Sequence, residues 1–163
     1  MADVCGRLTG APGVCFGTFG PGATNLATGV GGALMDRSPV IALTDEMSAE
    51  MRGRTTQMGI DHQALFRPIT KETTRLETGR VREIVFAAAK IALAERPGPV
   101  HIGLPVGMSG LPEADSKIPV PPRTASPRAG EAAIEAASAA IRAASKPAIA
   151  DRKSTRLNSS HVA

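Results

Sequence analysis

The stretch Gly17-Thr18-Phe19-Gly20-Pro21-Gly22-Ala23-Thr24-Asn25 constrains the fold of this chain more than any other. Ahead of it stands Val14-Cys15-Phe16, a short apolar run suited to a buried strand. Behind it Leu26 to Met35 is small and apolar, the composition of a tightly packed helix. A strand, a glycine turn and a helix in that order aim backbone N–H groups at a ligand. Glycines at 20 and 22 permit positive φ and close approach to the main chain, while Pro21 stiffens the turn between them. Thr24 and Asn25 add side-chain donors and acceptors at the helix start. Such a turn suits something flat and polar. A plain strand-to-helix turn in an α/β domain is the other reading, since the dinucleotide fingerprint wants a third glycine where Asn25 stands.

Composition narrows the architecture. Only 2% of the 163 residues are aromatic and there is no Trp or Tyr, so packing relies on Ala, Val, Ile, Leu and Gly. That favours helices laid closely on a sheet. No apolar run reaches the length of a membrane span, and the first residues lack the profile of a signal peptide; the expected location is cytoplasmic, with no membrane partner. Cys5 and Cys15 have no metal-like spacing and are expected as free thiols, and no metal ligands are assigned. Of the net charge of +4, Asp151, Arg152, Lys153 and Arg156 account for +2 within the last thirteen residues. With so few aromatics and no other basic cluster, nucleic acid is not an expected partner.

Taken in order, Met1 to Gly10 has the spacing of a helix's last turns, closing at Gly10. Asp36-Arg37-Ser38-Pro39 is a turn, and Val40-Ile41-Ala42-Leu43-Thr44 a buried strand. Asp45 to Ile60 is polar and Met-rich, without a clear period, and reads as an active-site-type loop at a strand's carboxyl end, where open α/β sheets take their ligands, or as merely a surface loop. Asp61 suits the N-cap of a short helix, His62 to Phe66. His62 has no evident carboxylate partner and reads as structural rather than as a base. Ile69-Thr70-Lys71 opens an edge strand, with Lys71 solvated by default. Thr78 caps a helix over Gly79–Glu95, with Val81, Ile84, Val85, Ala88, Ile91 and Ala92 on one face. Arg96-Pro97-Gly98-Pro99 stops it. Val100-His101-Ile102-Gly103-Leu104-Pro105 is a period-two strand with His101 packed or at an interface. Two strand–helix repeats predict an α/β fold, a parallel sheet with flanking helices and right-handed crossovers.

Four segments occur together in this chain: Gly20-Pro21-Gly22-Ala23-Thr24-Asn25, Met35 to Thr44, Arg67-Pro68-Ile69-Thr70-Lys71, and Arg96 to Pro105. In that order they resemble the N-terminal, pyrimidine-binding domain of thiamine-diphosphate-dependent enzymes of the acetolactate synthase type. The resemblance covers roughly Met1 to Pro105. It implies a domain that binds the aminopyrimidine of thiamine diphosphate, with Gly20, Pro21, Gly22 and Asn25 lining the pocket and Gln57 nearest to a family glutamine beside the cofactor. It implies a 2-oxo acid as substrate, cleaved or decarboxylated with acyl transfer, in a homodimer or tetramer. Mg²⁺ and the diphosphate fall to a further domain carrying Gly-Asp-Gly followed by Asn, a motif that does not occur here, and the resemblance leaves open FAD in the longer protein. The family's catalytic glutamate stands about two helical turns before the Met1 position. Met1 accordingly reads as a false start, no catalytic residue is assigned, and the polypeptide as written is expected to be inactive.

The expected organisation is an incomplete pyrimidine-binding domain over 1–106, a Pro-, Ser- and Gly-rich linker over 107–130, and the start of a central domain over 131–150, with an Ala-rich helix from Glu131 to Ala144 and a strand entry at Lys146–Ala150. Asp151 to His161 resembles the in-frame translation of a short-read sequencing adapter, so 151–163 reads as a scar. A sheet short of one strand is expected to expose an edge and apolar faces. The alternatives to a thiamine-diphosphate enzyme are a nucleotide-binding α/β domain and a non-catalytic dimerisation domain, the Gly29, Gly31 and Gly32 face suiting close helix approach.

Overall fold

The computed structural model describes residues 1–52, 54, 58–111 and 129–146. The chain divides into two compact units, Met1–Thr124 and Ala125–Ala163. The first is built on a four-stranded sheet in the order β1-β2-β4-β3, where β1 is Gly13–Gly17, β2 Val40–Glu46, β3 Glu72–Arg75 and β4 Pro99–Pro105. Every neighbouring pair is parallel. Helices α1 (Ala2–Thr9), α2 (Pro21–Met35), α3 (Ala49–Arg52), α4 (His62–Phe66) and α5 (Val81–Leu93) surround it, with a 3-10 turn at Arg67–Ile69. The α/β class and parallel sheet expected from the sequence are what the chain adopts.

Small side chains make both helix layers sit close. On one face of the sheet Ile41, Val100 and Ile102 meet Ala88 and Ala92 of α5, flanked by Leu43, Leu76, Ile84 and Ile91. On the other, Ala42 meets Ala23 and Val30 of α2 and Phe66 of α4, with Cys15, Leu26 and Ile69 at the margin. Phe66 is fully buried and is the largest side chain inside.

The caps follow local chemistry. Gly10 ends α1 in the left-handed conformation at φ 69°, its N–H donating to Gly6 O at 3.2 Å. Asp61 caps α4, its carboxylate accepting from Ala64 N–H at 3.0 Å. Several expectations need correction. α2 begins at Pro21 rather than Leu26, because Pro at the first helical position has the right φ and no N–H to lose. β2 runs two residues past Thr44, held by its pairing of Asp45 and Glu46 with Leu104 and Pro105. α5 starts at Val81 behind an Arg80 N-cap that makes no side-chain cap bond, and Val85 is exposed rather than on the packed face. β1 is one of the sheet's two edges among the described strands, and Val14 and Phe16, on the face where α5 packs over β2 and β4, are 59% and 57% exposed instead of buried.

Lys71 is exposed, yet its ammonium is engaged within the chain. Its Nζ donates to Ile91 O and, at 2.9 Å, to Ala94 O, closing the carboxyl end of α5, and burial pulls its pKa below the ordinary lysine value. Cys5 and Cys15 are free thiols, and burial raises the Cys15 thiol. In the second unit, α6 spans Glu131–Ala143 with Ile134 and Ile141 exposed. The strand entry at 147–150, most of the linker and all of the adapter-like tail lie outside the described residues. None of the described helices is long and apolar enough to cross a membrane.

Candidate functional site

Strand alternation sorts the sheet into an apolar face and a polar one. Ile41, Leu43, Val100 and Ile102 turn to α5. The intervening positions, Ala42, Thr44 and Glu46 on β2, Thr73 and Arg75 on β3, and His101 and Gly103 on β4, share the opposite face, over which α4 lies. The register sets His101 between Ala42 and Thr73, and Gly103 between Thr44 and Arg75. A Cβ on Gly103 would stand on Glu46 Oε1 and 3.0 Å from Gln63 Nε2, so glycine there makes the room into which these two side chains fold.

What fills this face is a connected set of hydrogen bonds. Gly20 N–H reaches His62 Nε2 at 3.3 Å. His62 Nδ1 lies 3.0 Å from Thr44 Oγ1, which lies 2.8 Å from His101 Nε2. His101 Nδ1 lies 2.7 Å from Thr73 Oγ1, and Thr73 Oγ1 lies 2.6 Å from Gln63 Oε1. The Gln63 amide nitrogen donates to Glu46 Oε1 at 2.5 Å and to Thr74 O at 3.0 Å. Arg75 Nε donates to Glu46 Oε2 at 2.5 Å, pairing a carboxylate that is only 5% exposed with a guanidinium that is 38% exposed. Phe66 stacks on the His101 ring, centroids 4.2 Å apart. Burial drives the His101 pKa down to about 3, helped by His62 and Arg75. Burial also lowers that of His62, against the opposing pull of Glu46, Asp61 and Asp45.

Above this network, at the carboxyl ends of β2 and β3, a crevice is lined by Phe19, Glu46, Met47, Met58, Gly59, Ile60, His62 and Arg75. It lies where parallel α/β sheets bind ligands. The glycine turn forms its shoulder. Gly20 is buried as the N-cap of α2 at φ 51°, and a Cβ there would come within 3.1 Å of Met58 Cα. Pro21 and Asn25 are exposed on the first turns of α2, with Gly22 half-buried between them. Two of the turn's N–H groups are already engaged within the chain, that of Gly20 with His62 and that of Gly22 with Phe19 O at 3.1 Å. Thr24 turns its hydroxyl back onto Pro21 O at 3.1 Å. The Asn25 amide makes no hydrogen bond among the described residues, and the residue is exposed. Gln57 lies outside the described residues. Among those described, no group of three or more His, Cys, Asp or Glu side chains could hold a metal ion.

Sequence reasoning passed over Glu46, Gln63, Thr73, Arg75 and Gly103, and treated the two histidines one at a time. A signal was present: polar residues at alternate positions, Thr44 and Glu46 on one strand, Thr73 and Arg75 on another, mark one face of a sheet as polar.

Comparison with known proteins adds the family. Residues 1–65 match the family described as thiamine pyrophosphate enzyme, N-terminal TPP binding domain. A probable acetolactate synthase large subunit of Methanococcus aeolicus is 44% identical over 121 residues, 74% of this chain and 20% of that protein. The acetolactate synthase of Bacillus subtilis is 37% identical over 142 residues, 86% of this chain and 24% of its own length. The large subunit of acetolactate synthase isozyme 1 of Escherichia coli is 32% identical over 151 residues, 91% of this chain and 27% of its own. The chain thus spans about a fifth to a quarter of the curated relatives it matches. With its parallel sheet and a glycine turn opening α2, this chain is an acetolactate synthase-like fragment whose residues 1–65 match the thiamine pyrophosphate-binding N-terminal domain.

Proposed function

We propose that this stretch serves a thiamine-diphosphate-dependent enzyme that cleaves or decarboxylates a 2-oxo acid and transfers the acyl group, as an acetolactate synthase-like protein would. Its share of the work is to hold the aminopyrimidine. The observation that carries this reading is the start of α2, where Pro21 and Asn25 are exposed and Gly22 half-buried, directly after Phe19, which lines the crevice at the strands' carboxyl ends. An aminopyrimidine presents an amine donor beside a ring-nitrogen acceptor, and a carboxamide matches that pair with one acceptor and two donors. The chemistry of the residues fits the group.

Pro21 and Gly22 would offer a flat surface free of bulky side chains, Gly20 would fix the direction in which the turn leaves β1, and Gln57 keeps the cofactor role that the family resemblance implies for it. When bound, thiamine diphosphate supplies a thiazolium carbon able to add to a carbonyl and stabilise the resulting carbanion. This chain's residues orient the ring and keep bulk solvent from its pyrimidine side. Mg²⁺ with the diphosphate belongs to another domain, whether or not the protein also carries a flavin. On the same reading the protein is a cytoplasmic homodimer or tetramer, 107–130 is a linker, 131–150 opens the next domain, and 151–163 is adapter-derived.

Asn25→Ala and Gly22→Val in the full-length protein test the assignment, with thiamine diphosphate affinity read by titration calorimetry. Losing one well-placed hydrogen bond should weaken binding by about tenfold. Valine at 22 would crowd Thr18 Cγ2, which lies 2.8 Å from the position its Cβ would take. Unchanged affinity and turnover in both variants would remove these residues from the pocket.

A further inference from the structure

We infer that His62 is the positioning residue of the glycine turn, held as a neutral imidazole with its proton on Nδ1 by a one-directional chain of hydrogen bonds from Gly20 to Glu46. The direction follows from either end separately. A backbone N–H can only donate, so the Gly20 contact makes His62 Nε2 a bare acceptor. A neutral ring then carries its proton on Nδ1 and donates it to Thr44 Oγ1. The Thr44 hydroxyl is left to donate to His101 Nε2, His101 Nδ1–H donates to Thr73 Oγ1, and Thr73 donates to Gln63 Oε1.

Starting from the other end gives the same answer. Thr74 O can only accept, and so can the carboxylate of Glu46, which fixes the nitrogen of the Gln63 amide toward both of them. Its oxygen must therefore face Thr73. Thr73 then has to donate, which requires Nδ1–H on His101, a bare Nε2 beside it, and Nδ1–H on His62. Six hydrogen bonds carry one polarity, and no member can reverse without leaving two donors or two acceptors face to face. In a buried setting that costs the desolvation of both.

The chain of bonds ties the turn to the sheet. Gly20 sits at φ 51°, and its N–H is held by a ring that itself hangs from β2 through Thr44. A second proton on His62 would put an N–H against the Gly20 N–H and release the turn. The charged and titratable groups around that ring are Glu46 and Asp45 on β2, Asp61 beside it on α4, and, through the network, His101 on β4 and Arg75 on β3. Burial outweighs the three carboxylates and the hydrogen bond to the Asp45 backbone, so the ring charges below the ordinary histidine value and is neutral near pH 7. That the turn is a pyrimidine wall rests on the function proposed above. The bond between ring and turn does not, and the experiment needs no cofactor.

Long-range ¹H–¹⁵N spectra of the full chain, labelled with ¹⁵N, report the ring tautomers directly. Both His62 and His101 are expected as neutral Nδ1–H rings at pH 7. The protection of the Gly20 amide against hydrogen exchange should then fall, as His62 takes up its proton, by about tenfold more than that of amides within β2 and β4, which follows the stability of the whole fold. His62→Gln places a carbonyl where Nε2 stands, with no proton to gain, and should abolish that extra loss, so that Gly20 protection changes with pH only as much as that of β2 and β4. An Nε2–H tautomer at His62 overturns the proposal, as does Gly20 protection that ignores its protonation. So does an identical pH response in His62→Gln. If that variant does not fold, the tautomer and exchange of the unmodified chain still decide.

Discussion

At the scale of single residues, the glycines divide by what surrounds them rather than by their number. Gly103 lies beneath the Glu46–Gln63 pair, and a methyl there must displace one or both. Gly103→Ala is expected to destabilise the chain by about 2–3 kcal/mol, the sum of overpacking and a disturbed buried polar pair. Gly29, in the middle of α2, has open space around the point where a methyl would stand, with no atom within 4 Å. There alanine should gain up to about 1 kcal/mol from helix propensity alone. Urea unfolding of the two variants beside the unmodified chain checks both signs. Equal effects would mean that the space around Gly103 is not set by its two polar neighbours.

At the scale of elements, what was legible in the sequence was local, and what was not depended on neighbours. Strand, turn and helix at 13–35 could be read because apolar runs, glycine and proline act within a few residues of themselves. The short helix behind Asp61 could be read for the same reason. The network could not, since alternation shows which residues share a face but not which strand lies beside which. His62 and His101 are thirty-nine positions apart, and the Thr44 hydroxyl joins them only once β2 and β4 pair. Pro21 and Asn25 could be read from local chemistry as parts of a ligand-facing turn, whereas a pyrimidine for that turn, and Gln57 beside it, come only from the family resemblance.

Lys71 shows the same limit. Nothing near it in the chain announces that its ammonium will close α5, twenty residues on. Lys71→Met should fray that helix end, costing about 1 kcal/mol and speeding amide exchange in its last turn, while leaving the amides of β2 protected. No change in the last turn's exchange would deny the lysine its capping role. The exposed edge at β1 has a consequence of its own. Val14 and Phe16 stand side by side on a strand with one open edge, so Phe16→Thr should reduce self-association of this chain in light scattering at little cost in stability. Undiminished association would place the sticky surface elsewhere.

For the molecule as a whole, the network makes folding stability a function of pH. Unfolded, His101 has the ordinary value of 6.5; folded, it has been pushed to about 3. Between those values the unfolded chain holds a proton that the folded one refuses, so stability is full above pH 6.5 and declines as the pH falls. Each such proton contributes about 1.4 kcal/mol per pH unit, and the full shift is on the order of 5 kcal/mol by pH 3, a large part of what holds a domain of this size together. His62, lowered in the same direction, adds to the decline. Carboxylates complicate the lower half of this range, so the informative window is roughly pH 6.5 to 5. There the unfolding free energy of the unmodified chain should fall by at least one proton's worth per pH unit. His101→Gln loses stability at neutral pH because the ring's stacking on Phe66 goes with it, but its slope in that window should be shallower by one proton. An unchanged slope would mean that the buried ring is not what couples this fold to acid, and that the coupling must be sought among the carboxylates instead.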